Sequence, residues 1–284
     1  MRIFVTGGDG QLGRAMAEVG KDGELYPGRH DADDITRPEI IQTICDFKPD
    51  VVVHAAAMTD VDACELKPDQ AFLVNEQGTR HVAQAARRAG ALMVYISTDY
   101  VFDGNKESPY LETDPVKPIN VYGQSKLAGE RATREAADRW LIVRTSWVYG
   151  KGRKNFVTNV LEWAKTQPVL RLVKDKVGSP TYAKDLALAI KHLAQISATG
   201  IYHVSGEGAC TWVEYGQEIL KIAGIEKEIV PIPFEELKRP AKRPSYSVLS
   251  NRKLGTSGFV MRSWEAAVQD FLMNRDVLER KGPL

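Results

Sequence analysis

Unbroken apolar runs recur through the first half of the chain: IFVTG at 3–7, VVVHAAA at 51–57, LMVYIS at 92–97 and LIVRTS at 141–146. Between them, apolar positions fall at helical spacing, as in DQAFLVNEQGTRHVAQAARRAG at 69–90 and SKLAGERATREAA at 125–137. Runs without polar alternation predict strands buried on both faces, and their alternation with helices predicts βαβ units around a parallel sheet. ELYPGR at 24–29 is a weaker strand, because Pro27 has no N–H to give to a ladder. GIYHVSG at 200–206 stands apart from the others and predicts a late return to the sheet. After Gly150 the pattern loosens, and prolines in EIVPIPFEELKRPAKRPSYSVL interrupt any long element. The expected architecture is a doubly wound α/β domain over 1–150, completed by a strand returning near 178–206. A smaller lobe, 151–177 and 207–284, covers whatever binds at the strand ends.

Composition narrows the partners. The 284 residues are 43% hydrophobic, enough for a sizeable core. Thirty-eight basic residues face 37 acidic ones, so no net field recruits nucleic acid or a membrane surface. Cys45, Cys64 and Cys210 are an odd set without a CxxC pair, which argues against a disulfide framework or a zinc site and for reduced residues in a cytoplasmic protein. MRIFVTGGDG lacks the long apolar core and cleavage site of a signal peptide, and no apolar stretch reaches the roughly 18 residues of a membrane span.

The first strand leads into TGGDGQLG, which puts Gly7, Gly10 and Gly13 in a GxxGxxG turn before a helix, with Gln11 and Leu12 inside it. Glycines let the backbone approach a pyrophosphate, and the helix amino end supplies N–H groups and partial positive charge. The second strand ends in GRHDADDIT: Arg29 suits a ribose 2′-phosphate, while Asp34 and Ile35 suit the adenine edge. Both NADPH and NADH therefore stay open as cofactors.

LMVYIS runs into ISTDYVFDG, placing Thr98, Asp99 and Tyr100 where a strand mouth opens. Further on, NVYGQSKLAGE sets Tyr122 four residues before Lys126, on one face of a predicted helix. A tyrosine with a pKa near 10 exchanges protons poorly at neutrality, but an adjacent ammonium stabilises the phenolate and makes it a usable acid or base. Thr98 is placed to hydrogen-bond the same substrate oxygen.

TGGDGQLG, VVVHAAA, STDYVFDG and YGQSK, in that order, resemble the extended short-chain dehydrogenase/reductase superfamily, with its Rossmann-type sheet. AAAMTDVDACE, VNEQGTRHVAQAA, NVYGQSKLAGE, IVRTSWVYG and GSPTY further resemble the dTDP-4-dehydrorhamnose reductase family, over residues 1 to roughly 250. The resemblance implies reduction of dTDP-4-dehydro-L-rhamnose to dTDP-L-rhamnose by NADPH or NADH. It makes Thr98, Tyr122 and Lys126 the catalytic group, with Tyr122 as proton donor and Lys126 on the nicotinamide ribose. It gives Asn75 a part in ordering the site, and makes Ala55, Ala56 and Ala57 a small wall for the dinucleotide, beside His54 where many relatives have asparagine. Thr59, Asp60 and Asp62 edge the cofactor or substrate site. Trp147 packs on the sugar, Asn155 lies beside the sugar nucleotide, and Arg239 and Arg243 suit its diphosphate. No distinctive acidic cluster is present, so no metal is expected; a homodimer is allowed.

Two rival functions share these motifs. An epimerase or dehydratase uses the same scaffold, but a dehydratase would carry an acidic pair beside Thr98, where this chain has Asp99 followed by Tyr100. A regulatory subunit similar to the beta subunit of methionine adenosyltransferase would bind NADP without catalysis, and the intact Thr98, Tyr122 and Lys126 set argues against it.

Overall fold

The computed structural model describes residues 1–21, 23–29 and 31–274. The first half runs β1 (Arg2–Thr6), α1 (Gln11–Val19), β2 (Glu24–Pro27), α2 (Ile40–Phe47), β3 (Val51–His54), α3 (Val61–Leu66), α4 (Pro68–Phe72), a π-helical turn (Leu73–Gly78), α5 (Thr79–Ala89), β4 (Leu92–Thr98), α6 (Val121–Ala136) and β5 (Trp140–Thr145). The second half adds β6 (Val148–Tyr149), α7 (Phe156–Thr166), β7 (Leu170–Val173), β8 (Val177–Gly178), β9 (Thr181–Tyr182), α8 (Ala183–Gln195), β10 (Gly200–His203), β11 (Cys210–Thr211), α9 (Trp212–Ala223), β12 (Ile229–Ile232), α10 (Arg252–Thr256) and α11 (Trp264–Met273).

Six strands form one sheet in the order β10-β5-β4-β3-β1-β2, every pair parallel. Side chains alternate across a strand, so each apolar run divides between two cores. Val5, Val53, Val94 and Val143 face one core, which α1 and α8 cover through Leu12, Met16, Leu186, Ile190 and Leu193. Phe4, Val52, Met93 and Ile142 face the other, under Ile41, Ile44, Val82 and Ala86. Burial on both sides is why these runs carry no polar alternation, and each such side chain contributes roughly 1.5–3 kcal/mol.

Pro27 closes β2 at the sheet edge, paired in register with Val5. β10 lies beside β5, so the chain does return late to the sheet. A third core gathers α7, β7, α9 and α11 around Val157, Leu172, Tyr215, Ile219 and Phe271. Here the structure is more regular than its prolines suggest: β12 pairs in parallel with β7 although Pro231 lies opposite Leu172, which a two-stranded sheet with open edges tolerates. Because β1 lies between β2 and β3, the loops leaving β1 and β3 part in opposite directions. The crevice at their carboxyl ends is the binding position of an open α/β sheet.

Candidate active site

At this crevice the chain leaves Thr6 and turns through Gly7 at φ +70°. A β-carbon on Gly7 would stand 2.9 Å from the Ala56 nitrogen, so only glycine lets the β1 and β3 mouths come this close. Gly13 packs directly on the backbone of Gly7 and Gly8. Gly10 caps α1 without a side-chain hydrogen bond, and the first turn, with Gln11 and Leu12, carries no acidic residue. No side chain of the helix itself occupies its amino end, which suits a phosphate. Ala55, Ala56 and Ala57 are half-buried beside it and Thr59 is exposed.

The nucleotide-edge residues part company. Arg29 reaches the surface and pairs with Asp31 at 3.1 Å. Asp34 bonds the Thr36 nitrogen at 2.9 Å and pairs with Arg37 at 3.5 Å. Ile35, expected at the adenine edge, is a core residue instead, packed with Phe4 and Ile44 on the underside of the sheet.

The chemical end forms where β4 meets α6. Thr98 is the last residue of β4, and its hydroxyl donates to Asp99 Oδ1 at 2.9 Å and accepts from the Tyr100 nitrogen at 3.1 Å. Asn120 caps α6 by accepting from the Gly123 nitrogen at 2.8 Å, so the helix begins before Tyr122 and holds Tyr122 and Lys126 on successive turns. Tyr122 meets Tyr100 edge to face, with centroids 5.8 Å apart.

Charge in this group differs from the expectation. Burial, helped by Asp99, pushes Tyr122 above the usual tyrosine range, and a hydrogen-bonding contact with Thr98 only partly offsets it. The phenol thus keeps its proton at neutrality. The Lys126 ammonium lies over the Tyr95 ring, 4.2 Å from the centroid. Burial brings Lys126 itself down to about 7, against opposing pulls from Glu130 and Cys64. Asp99 is raised by burial to about 7, and among the described residues its Oδ2 has no hydrogen-bond partner.

A buried chain of hydrogen bonds joins the two ends of the crevice. The Ala56 nitrogen donates to Thr6 Oγ1 at 3.2 Å, and Thr6 Oγ1 lies 2.7 Å from His54 Nδ1. His54 Nε2 is 3.0 Å from Thr79 Oγ1, which donates to the Asn75 carbonyl at 2.7 Å. Asn75 sits in the π-helical turn, where the widened backbone brings its amide inward. Asn75 Oδ1 accepts from the Met58 nitrogen at 2.8 Å, while Nδ2 donates to the Met58 carbonyl at 3.0 Å and to Ser125 Oγ at 2.9 Å. Ser125 in turn donates to the Tyr122 carbonyl at 2.8 Å.

The proposed substrate side is less open than the sequence suggests. Trp147 adopts a left-handed backbone at φ +45° and stacks on Trp212, with centroids 3.7 Å apart. Asn155 caps α7 in a capping box and spends its amide on the Gly150 carbonyl at 2.8 Å and Gln11 Oε1 at 3.2 Å. Its polar atoms are committed to joining α7 to the phosphate turn. The two arginines assigned to a diphosphate converge on Asp62: Arg243 bonds Oδ1 at 2.7 Å and Arg239 approaches Oδ2 at 3.5 Å. Arg243 also hydrogen-bonds Tyr100, so it stays at the edge of the group formed by Thr98, Tyr122 and Lys126.

A six-stranded parallel sheet with a glycine cradle at its switch point and Thr98, Tyr122 and Lys126 at the neighbouring mouth defines a Rossmann-type reductase of the short-chain dehydrogenase class. The chain belongs to the family described as RmlD substrate binding domain, whose model matches residues 1–277. It is 40% identical to a dTDP-4-dehydrorhamnose reductase of Burkholderia thailandensis, over 99% of this chain and 100% of that one. It is 39% identical to the spore coat polysaccharide biosynthesis protein SpsK of Bacillus subtilis, over 96% and 98%. Among solved structures it superposes on a dTDP-4-dehydrorhamnose reductase from Bacillus anthracis in complex with NADP, with a TM-score of 0.93, 39% identity, and 96% and 99% of the two chains covered.

Several residues of the site escaped the sequence motifs: Thr6 and Thr79 on either side of His54, Ser125, Trp212, and the pair Glu130 and Arg144. Only Glu130 had a local signal, since it follows Lys126 by four residues on the same helix. The others meet through the fold.

Proposed function

We propose that this chain reduces dTDP-4-dehydro-L-rhamnose to dTDP-L-rhamnose with NADPH or NADH, Tyr122 donating the proton. The observation that carries this is the protonated, partly covered phenol of Tyr122 beside Thr98, on the helix that also holds Lys126. The cradle fits a dinucleotide: Gly7 admits no side chain, and the amino end of α1 is uncapped by any side chain. A bound nicotinamide supplies the hydride. The protein's part is to hold the sugar's C4 carbonyl between Thr98 and Tyr122, so that as C4 gains hydride its oxygen takes the Tyr122 proton. The phenolate left behind is stabilised by Thr98 and by the positive charge of Lys126 on the next turn, and it regains its proton from solvent. Ala55, Ala56, Ala57 and Asn75 shape the nucleotide side. Asp99, Tyr100, Trp147 and Arg243 form the sugar side, where a diphosphate competes with Asp62 for the arginine.

Consumption of NADPH or NADH with dTDP-4-dehydrorhamnose tests the proposal. Tyr122→Phe is expected to lower kcat about 100- to 10,000-fold while nucleotide binding persists. Undiminished turnover by that variant, or none by the wild type with either nucleotide, overturns it.

A further inference from the structure

Helix α6 buries a second charge one turn beyond Lys126. Glu130 is 0% exposed, and Arg144 grips its carboxylate at both oxygens, Nε to Oε1 at 2.8 Å and Nη2 to Oε2 at 2.8 Å. Ser97 donates to the same Oε1 at 2.6 Å. Arg134 touches the carboxylate from the surface at 3.8 Å. The guanidinium of Arg144 lies 5.2 Å from the Phe102 ring centre, and among the described residues its Nη1 has no hydrogen-bond partner. Stability alone gives little reason for this arrangement, since taking two charges out of water costs several kcal/mol per ion and apolar replacements are often as stable. Position gives a better one. Ser97 precedes Thr98 in β4, Arg144 precedes Thr145 in β5, and the two pairs are in register. Each member of the cluster therefore adjoins the catalytic group or its strand neighbour.

We infer that Glu130, Arg144 and Ser97 are positioning residues: they lock α6 against the mouths of β4 and β5 and fix an anion one turn from Lys126 that favours the charged lysine. The inference rests on the reductase reading and names a device within it. The groups facing Lys126 are Glu130 on its own helix, Cys64 from α3, His54 from β3 and Tyr95 from β4. Burial holds His54 neutral at about 3, raises Cys64 to about 11, and keeps Tyr95 and Tyr122 protonated. The effect of Glu130 on Lys126 is to raise it, against the burial that lowers it.

Glu130→Gln and the double variant Glu130→Gln/Arg144→Met test the idea. The first removes the anion; the second also removes the stranded arginine, so packing and stability recover while the anion stays absent. Two readouts are taken: the alkaline limb of the kcat profile, and the pH titration of the Lys126 Cε resonance in nucleotide-free protein, which needs no turnover. Both are expected to move to lower pH by about one unit in each variant that folds, because a lysine without its anion loses its proton sooner. Wild-type titration of Lys126 in the double variant overturns the inference and leaves the cluster a packing feature. A wild-type enzyme with no turnover overturns the reductase reading instead, and the lysine titration still decides this one.

Discussion

His54 is held so completely that its proton can be assigned. Thr79 gives its hydroxyl hydrogen to the Asn75 carbonyl, so it can only accept from His54 Nε2. Nε2 therefore carries the hydrogen, and Nδ1 accepts from Thr6, whose oxygen accepts from the Ala56 nitrogen. His54→Leu leaves the buried Thr6 hydroxyl hydrogen without an acceptor, at about 1–3 kcal/mol, and takes a donor from Thr79, which keeps its bond to Asn75. His54→Asn, which offers an acceptor and a donor side by side, is expected to lose less. Denaturant midpoints of the two variants check the order, and imidazole nitrogen shifts check the tautomer; an Nδ1–H form in the wild type would refute the assignment. Sequence could not show this. Thr6 and Thr79 lie 48 and 25 residues from His54, so no spacing rule connects them. The glycines of the phosphate turn and the Tyr122–Lys126 pair were legible because their geometry is local.

Helix α6 shows the same division one level up. The helical pattern of 125–137 was readable, but the start at Val121 depends on Asn120, which caps the helix and donates its amide to the Lys242 carbonyl at 2.8 Å. One side chain thus fixes the start of α6 and clamps the loop that carries Arg239 and Arg243. Asn120→Ala is expected to cost about 1–2 kcal/mol for the cap and about 1–3 kcal/mol more for the stranded carbonyl, and to lower kcat with it. Ser263→Ala, which removes an exposed cap from α11, should cost about 1 kcal/mol and leave turnover intact. Equal losses in the two variants, by denaturant midpoint, would sink the claim that Asn120 does double duty. The helical spacing over 69–90 resolves into α4, a π-helical turn and α5. Side-chain periodicity does not reveal one widened turn, and that turn is what delivers Asn75 to Met58 and Ser125.

Across the whole molecule, the sheet was legible because each strand buries both faces, whereas the second half was not, because its third core is built from aromatic contacts between distant segments such as Trp147 with Trp212 and Tyr149 with Phe271. The buried groups of both halves combine in one measurable quantity, the dependence of stability on pH. His54 and His203 are lowered by burial from 6.5 to about 3, so between those values the unfolded chain holds a proton that the fold excludes. Each histidine makes stability fall as pH falls through that window. Asp99 acts the other way: raised from 3.8 to about 7, it holds a proton in the fold that the unfolded chain has lost, so stability falls as pH rises. From roughly pH 4 to 6.5 two protons favour the unfolded state and one the folded state. The net of one predicts a gain of about 1.4 kcal/mol per pH unit on going up through the window. Asp99→Asn removes the opposing group and should steepen the slope to about 2.7 kcal/mol per unit, while His54→Asn should bring it close to zero. Urea unfolding at half-unit pH steps measures all three slopes; a slope unchanged by Asp99→Asn would mean that the carboxyl beside Thr98 is already ionised in the folded protein, and that Tyr122 works next to a full negative charge.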